Sequence, residues 1–206
     1  MILNLLFQDP VLFFIWLVAI VMAITIHEFA HAAAASMLGD PTPSSLGRLS
    51  FNPIAHIDPF GFLLLILVGF GWGRPVPFNP YNLKNQRWGA AIVGFAGPLA
   101  NIALVLLFGA LSRVFLGLGA DNRLFILFIS IVQINLALLL FNLIPIPPLD
   151  GSKVLFALLP PSGQWIRHFL ERYGLYLLLA LVIFGTSVFG HLFSLLYDAV
   201  LRIIYA

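Results

Sequence analysis

The chain has 206 residues, of which 61% are hydrophobic and only 9% are charged, and its mean hydropathy is +1.05. Because soluble domains carry roughly 25% charged residues, this composition indicates a membrane protein and excludes a soluble enzyme, a disordered tail and a nucleic-acid binder. The formal net charge is only +2, and the lack of cysteine excludes disulfides and thiolate metal sites.

Apolar segments separated by Gly- and Pro-rich breaks predict an all-α polytopic membrane protein. The first segment should end at Gly39-Asp40-Pro41, and we treat it as retained because no Lys or Arg precedes it, as in a secretory signal. The second is too short to span a bilayer and should dip into the membrane. The last is one helix, or two broken near Gly190-His191. The segments cover about residues 10–38, 60–70, 89–117, 123–144 and 170–204.

The breaks between these segments are short or rich in helix-breaking residues. Residues 71–85 combine Gly, Pro and Asn and predict an extended or looped stretch at the membrane interface. Pro145 to Pro148 lead into a short predicted helix that ends at Leu159. No loop has room for a second soluble domain, so residues 1–206 are predicted to form a single integral membrane domain.

The distribution of basic residues predicts the orientation in the membrane. If the segment 60–70 crosses the membrane, the basic residues divide six to three between the two sides; if it does not cross, they divide seven to two, which is the cleaner partition. The seven are Arg48, Arg74, Lys84, Arg87, Lys153, Arg167 and Arg172, and the two are Arg113 and Arg123. The C-terminal end of the first segment is therefore predicted to face the cytoplasm.

His27-Glu28-Phe29-Ala30-His31 places two imidazoles four residues apart on one helical face, with a carboxylate between them. This H-E-x-x-H pattern is typical of zinc proteases, in which both imidazoles bind one metal ion and the Glu activates a bound water. The alternative is a set of polar residues that pack helices together. Ionisable side chains inside a membrane span are costly and usually functional, which favours the metal site.

A catalytic zinc site needs a third protein ligand, and Asp150 is the best candidate. It follows the Pro-rich break and precedes Gly151, so irregular backbone turns there inside the protein. Zinc with two neutral His and the carboxylates of Asp150 and Glu28 would sum to zero charge, which a low-dielectric site tolerates. The alternative is that Asp150 caps the helix that follows it.

Three further histidines offer weaker signals. His56, together with Asp58, lies in a Pro-rich loop that either folds towards the site, as a gate or as support for the ligands, or caps the segment 60–70. His168 and His191 lie beside other polar residues near breaks, which indicates interfacial positions.

Three motifs occur in order on three predicted helices: H-E-x-x-H at residues 27–31, AGPLAN at residues 96–101 and NLIPIPPLDG at residues 142–151. Together they resemble the site-2 protease family of intramembrane zinc metalloproteases, in its compact form without a PDZ domain. The similarity covers about residues 15–160, and the C-terminal helices at about 170–204 follow it.

The resemblance implies a three-helix catalytic core, formed here by the segments 10–38, 89–117 and 123–144. It also implies zinc held by His27, His31 and Asp150, and an H-E-x-x-H helix that runs into the cytoplasm. The sequence departs from the family by a long insertion at residues 40–88 and by the lack of a leading helix before the first segment.

The remaining motif residues have two interpretations each. Gly97 with Pro98 permits a close helix approach or a kink. Asn101 and Asn142 either bind an unwound substrate or a tetrahedral oxyanion, or they hold helices together through hydrogen bonds.

We therefore expect a multi-pass zinc metalloendopeptidase of the cell membrane that cleaves within or near the transmembrane segment of membrane protein substrates. One zinc per chain would polarise the scissile carbonyl, and Glu28 would move the proton. The expected partners are a transmembrane substrate and the lipid bilayer, with no nucleic acid. Residues 71–79 could receive an extended substrate by strand addition. The rival interpretation is a metal-ion or proton-coupled transporter or channel that uses the same cluster.

Overall fold

The computed structural model describes residues 2–119 and 121–206, and over these ranges the chain folds into nine α-helices. Four of them, α2, α5, α6 and α9, are long and apolar enough to cross a membrane. The all-α polytopic fold is thus confirmed. The helices are α1 (Ile2–Gln8), α2 (Pro10–Met37), α3 (Thr42–Ser45), α4 (Pro59–Val68), α5 (Gln86–Leu116), α6 (Arg123–Asn142), α7 (Asp150–Leu158), α8 (Gln164–Phe184) and α9 (Thr186–Tyr205).

Both ends of α2 follow from its sequence. The Asp9 side chain accepts a hydrogen bond from the Leu12 amide at 3.0 Å, and Pro10 occupies the first helical turn, where a missing N–H costs nothing. Past the last residue, Gly39 has a φ of +104°, which terminates the helix as predicted. The result is a 28-residue helix that carries the H-E-x-x-H motif beyond its midpoint.

Helix α5 lies at the centre of the protein and contacts α2, α6, α7 and α9. Its interface with α6 contains a buried apolar cluster of Val105, Val132, Leu136 and Leu139. Lipid tails are as apolar as these side chains, so helix association there depends on close packing and on polar contacts between helices. The three predicted core helices therefore meet around α5.

Helix α4 has only 10 residues, from Pro59 to Val68. The Asp58 side chain accepts from the Gly61 amide at 2.8 Å, and Gly69 ends the helix with a φ of +87°. At 1.5 Å per residue it is about 15 Å long, roughly half of the hydrocarbon core, so it is too short to span, as predicted.

The sequence prediction was wrong at the N-terminus and incomplete at the C-terminal stretch. A short helix, α1, precedes α2, where no leading helix was expected. The C-terminal stretch is two helices broken at Gly185, not near Gly190-His191. A Cβ at Gly185 would lie 2.5 Å from the Leu181 carbonyl oxygen, whereas Gly190 has open space around it and continues α9. A single Gly costs a helix only about 1 kcal/mol, so the presence of a glycine does not by itself show where the helix ends.

Residues 71–83 form an extended strap, ending in a 3-10 turn at Pro80–Asn82, which is tied to the loops around it. The Arg74 amide donates to the His56 carbonyl at 2.7 Å, and Gly73 pairs with Ile57 as an isolated antiparallel bridge. At the other end, the fully buried Asp40 accepts from the Asn79 amide at 2.6 Å and from the Asn82 side chain at 2.9 Å.

Thr42 donates two further hydrogen bonds to the Asp40 carboxylate, one from its amide at 3.1 Å and one from its hydroxyl at 2.6 Å. Burial raises the pKa of Asp40, but hydrogen bonds from Thr42, Asn82 and Asn79 outweigh it and hold that pKa below its usual value. The strap is therefore fixed at both ends by side chains and backbone outside it.

Candidate metal centre

The two histidines of the H-E-x-x-H motif lie on the face of α2 that packs against α5. Both are buried, with 4% of His27 and 5% of His31 exposed, and their Nε2 atoms are 3.0 Å apart. The ring centroids lie 4.6 Å apart with the rings nearly perpendicular. This is the pairing that a spacing of four residues on a helix predicts.

Asp150 joins these histidines from a distant part of the sequence. Its Oδ2 lies 3.2 Å from the His27 Nε2 and 3.1 Å from the His31 Nε2. Gly151 allows the approach, because a Cβ there would collide with the Leu143 carbonyl. Helix α7 begins at Asp150, the capping position is Leu149, and no side chain caps the helix, so the capping interpretation of Asp150 is wrong.

Hydrogen bonds on the far side of each imidazole fix its tautomer. The His31 Nδ1 lies 2.6 Å from the Val93 carbonyl oxygen, which only accepts, so this nitrogen carries the proton. The His27 Nδ1 lies 2.7 Å from the Asn101 Oδ1 and donates in the same way. When both rings are neutral, as metal binding requires, their Nε2 atoms therefore present lone pairs towards each other.

The orientation of the Asn101 amide is itself determined by a chain of partners. The Asn135 Nδ2 donates to the Ile131 carbonyl at 2.8 Å, which leaves the Asn135 Oδ1 as an acceptor. The Asn101 Nδ2 donates to that oxygen at 2.7 Å, which turns the Asn101 Oδ1 towards His27. Both amides are completely buried. A backbone carbonyl of α6 thus sets the tautomer of a histidine on α2.

The resulting site fits a metal cation. Three electron-pair donors, the two Nε2 atoms and the Asp150 Oδ2, form a triangle with sides of 3.0, 3.1 and 3.2 Å. Without a cation these buried donors would repel one another. Metal–ligand distances of about 2.0–2.2 Å suit zinc bound by His and Asp, and such distances fit over a triangle of this size. Within the described residues, His27, His31 and Asp150 are the group that can hold a metal.

Glu28 lies beside the ligands on the wall of a cavity of about 570 Å³. Its Oε2 accepts a hydrogen bond from the Val76 amide at 3.1 Å, so the strap crosses next to this carboxylate. Mostly apolar side chains line the rest of the cavity, among them Trp16, Ile20, Phe141 and Phe189. The arrangement combines three candidate ligands, a carboxylate and a mostly apolar cavity.

Glycine on α5 makes this geometry possible. A Cβ at Gly97 would lie 2.5 Å from the His27 Cε1 and 2.5 Å from the His31 Nε2. Any larger side chain would therefore push the two rings away from α5. The close helix approach predicted for Gly97 is found in the structure, and its purpose is to admit both imidazoles.

The other predicted site residues lie in different surroundings. Asn101 contacts the Nδ1 of His27, on the side of the ring away from Asp150, and it does not line the cavity. Asn142 does line it, with its Nδ2 donated to the Leu138 carbonyl at 3.0 Å. His56 is fully buried away from the ligands, with its Nε2 2.7 Å from the Ser50 carbonyl oxygen. His56 thus supports the strap through its backbone instead of joining the metal ligands.

Comparisons with known proteins point to one family. The model of peptidase family M50 matches residues 117–185, which include Asp150. The protein "Putative zinc metalloprotease YwhC" of Bacillus subtilis is 35% identical over 90% of this chain and 89% of its own length. The chain belongs to the site-2 protease family, peptidase family M50.

Two other relatives carry corresponding names. The protein "Putative zinc metalloprotease MJ0611" of Methanocaldococcus jannaschii is 32% identical over 69% of this chain and 70% of its own length. Rip2 of Mycolicibacterium smegmatis, named in the same way, is 31% identical over 79% of this chain but only 64% of its own length. No solved structure matches the chain significantly. Membership of the site-2 protease family is thus established, and it indicates a metalloprotease.

Asn135 and Lys153 of this site-2 protease belong to the site but were not predicted from the sequence. Asn135 is one of three amide side chains in the largely apolar α6, a signal that could have identified it. Lys153 lies one helical turn after Asp150, and its Nζ is 2.8 Å from the Asp150 Oδ1. Residues three apart on a helix are neighbours on its surface, so this spacing was a second signal present in the sequence.

We predict that Asn101→Leu lowers the zinc affinity of the site-2 protease about 10- to 100-fold, because the His27 Nδ1 loses its acceptor and the ring its fixed orientation. Amide pairs between membrane helices contribute only about 0.6–2 kcal/mol, so the fold should persist. Chelator competition measures the affinity. The matched control is Asn142→Leu, which removes an amide that contacts no ligand and should leave the affinity unchanged.

Proposed function

We propose that this site-2 protease is an intramembrane zinc metalloendopeptidase that hydrolyses peptide bonds within or near the transmembrane segment of membrane protein substrates. The observation that carries the proposal is the convergence of three lone-pair donors within 3.2 Å of one another on the wall of an apolar cavity, with a carboxylate beside them. Three protein ligands with an open fourth position are characteristic of catalytic zinc.

In this proposal, His27, His31 and Asp150 hold one zinc ion per chain. Bound zinc supplies Lewis-acid polarisation of the scissile carbonyl and lowers the pKa of a bound water. Glu28 accepts the proton from the attacking water and returns it to the leaving amine. Its position supports this role, since its carboxylate borders the cavity and already accepts one hydrogen bond from the Val76 amide.

The substrate must lose helical structure before it is cleaved, because an α-helix hides each carbonyl in a hydrogen bond to the residue four positions later. The strap offers an extended partner for the unwound segment. Pro75 and Pro77 have no N–H, and the Val76 N–H already bonds to Glu28. This part of the strap therefore binds a substrate mainly through its carbonyl oxygens, which accept from substrate amides.

Asn142 is the second substrate contact in the proposal. It lines the cavity at the end of α6, and its side-chain oxygen has no role in the bond to Leu138, which uses the Nδ2. It can accept from a substrate amide without giving up that bond. To stabilise an oxyanion it would first have to release its donor from Leu138, so binding of the substrate backbone is the better role.

We further propose that the chain is a single catalytic domain of the cell membrane, with the C-terminal end of α2 on the cytoplasmic side. The excess of Lys and Arg in the loops at residues 39–88 and 151–172 supports this orientation. The short length of α4 supports it as well, because a helix of 10 residues leaves both of its ends on the same side.

The rival function is metal-ion or proton-coupled transport through the same cluster. The names of the relatives favour proteolysis, and a carboxylate between the two ligand histidines is the arrangement that hydrolysis requires. Transport would also need a second access route to the cluster.

Purified protein in detergent, mixed with a generic single-span membrane peptide, tests the function. We expect cleavage products by mass spectrometry that disappear with a zinc chelator and return on addition of zinc. Zinc or proton flux in liposomes without any peptide cleavage would contradict the proposal and support the transporter.

A further inference from the structure

Lys153 is a charged side chain in the cavity wall that the proposed reaction does not yet use. The chain has only two lysines, and this one lies on α7 with its Nζ 2.8 Å from the Asp150 Oδ1. Its side chain is 29% exposed and lines the same cavity as His27 and Glu28. Partial burial of an ammonium group is costly unless the group has a specific partner, and the partner here is the proposed metal ligand Asp150.

Two separate parts of the fold accommodate Lys153. Helix α5 leaves room for its stem at Gly94, where a Cβ would lie 2.8 Å from the Lys153 Cδ and 2.9 Å from its Cβ. The strap places the Phe78 ring 5.5 Å from the Nζ, within the range of a cation–π contact. Gly94 and Gly97 lie three residues apart on α5, so one face of this helix makes room for the lysine and for the imidazoles.

The two carboxylate oxygens of Asp150 have different partners. The Oδ2 lies 3.1–3.2 Å from the two Nε2 atoms, whereas the Oδ1 is bound by the ammonium group. A carboxylate can bind a metal through one oxygen or through both. A charge-assisted hydrogen bond to the Oδ1 is strong enough to keep that oxygen away from the metal.

Lys153 also changes the charge of the loaded site. Zinc contributes +2, Asp150 and Glu28 contribute −1 each, and Lys153 contributes +1, which gives 2 − 1 − 1 + 1 = +1. Without Lys153 the total would be zero, as the sequence alone led us to expect. An additional positive charge beside the ligand reduces the electron density that Asp150 donates, and it favours charge that develops on the scissile carbonyl.

We propose that Lys153 is a positioning residue of the reaction, which acts through Asp150 and holds it as a ligand with a single oxygen. The inference rests on the proposed zinc protease and deepens it. Loss of Lys153 frees the Oδ1 to bind the metal as well, which raises the coordination number. The metal then polarises the substrate less, so the effect falls on kcat and not on KM.

The test uses three variants of the full-length protein. Lys153→Met removes both the donor and the charge, Lys153→Arg keeps both, and Lys84→Met changes the other lysine, which is exposed and lies outside the cavity. Each protein is loaded with cobalt in place of zinc for visible absorption spectroscopy. Each is also assayed with zinc for kcat and KM on the membrane peptide.

For Lys153→Met we expect a cobalt d–d absorption weakened by the higher coordination number, and a kcat at least tenfold lower with KM within about twofold. Lys153→Arg should restore the spectrum and bring kcat to within about threefold of wild type. Lys84→Met should match wild type in both measurements. If Lys153→Met does not fold, Lys153→Gln, which is neutral but polar, should give the same weakened absorption.

An unchanged cobalt spectrum in a folded Lys153→Met or Lys153→Gln protein would overturn the inference, and so would a kcat within twofold of wild type. Failure of the proposed function looks different, because wild type itself would then cleave nothing. The cobalt measurement needs no activity, so it still decides whether Lys153 controls the coordination by Asp150.

Discussion

Replacement of Glu28 by Gln is expected to leave about one zinc per chain in place. The cleavage rate should fall about 10²- to 10⁴-fold, which is the usual contribution of a general acid–base group. The three ligands remain, so the metal is retained. Gln keeps an oxygen that accepts from the Val76 amide, so the strap stays where it is. The substitution thus removes the basicity of the group and little else.

Metal analysis and mass-spectrometric detection of peptide products measure the two parts of this result. The matched control is Glu171→Gln, because the chain contains only these two glutamates and Glu171 is an exposed residue of α8 that pairs with Arg167 at 2.8 Å. Surface ion pairs of this kind contribute at most about 1 kcal/mol, so the control should cleave normally. Cleavage near the wild-type rate by Glu28→Gln would mean that another group moves the proton.

Replacement of Asp150 by Asn is expected to lower zinc affinity at least tenfold and to abolish detectable proteolysis in a folded protein. The change removes an anionic ligand and raises the net charge of a low-dielectric site by one. If the Asn oxygen stays on Lys153, its NH₂ group points at the Nε2 atoms and donates to them, in the place where the metal would bind. Asp150 caps no helix, so α7 should remain intact.

Chelator competition gives the zinc affinity of Asp150→Asn, and circular dichroism reports whether the helices persist. Asp198→Asn is the matched control, since Asp198 is an exposed residue of α9 far along the chain. It should bind zinc and cleave like wild type. Stoichiometric zinc with normal cleavage in Asp150→Asn would show that the third ligand lies elsewhere.

The sequence predicted the long helices well because their ends carry local signals. Asp9 with Pro10 marks the start of α2 and Gly39 marks its end, and the Asn122 side chain caps α6 by accepting from the Leu124 amide at 2.9 Å. Such signals act within one turn of helix, so they can be read without the fold. The break at Gly185 was missed because no side chain caps α9 there, so no local signal distinguishes Gly185 from Gly190.

The convergence of His27, His31 and Asp150 could also be predicted, since the first two share one helical turn and the third lies beside a Pro-rich break. The contacts that hold these three side chains in place could not be predicted. Asn135, Asn101 and Lys153 act through their approach to other elements, which depends on how each helix is rotated about its axis. In a soluble protein, the polar and apolar faces of a helix indicate which side is turned towards the core. These spans are mostly apolar on every side, so their sequences give little indication of that rotation.

The distance along the chain between the ligands has a consequence for biosynthesis. His31 and Asp150 are 119 residues apart, and α5, which carries Gly97, lies between them. At roughly 5–20 residues per second, a ribosome delivers Asp150 about 6–24 s after His31. During that time the nascent chain offers two imidazoles without their anionic partner. Until Asp150 is made, the proposed site lacks its third ligand, so we expect zinc binding and proteolysis to begin only after α2, α5 and α6 have been synthesised.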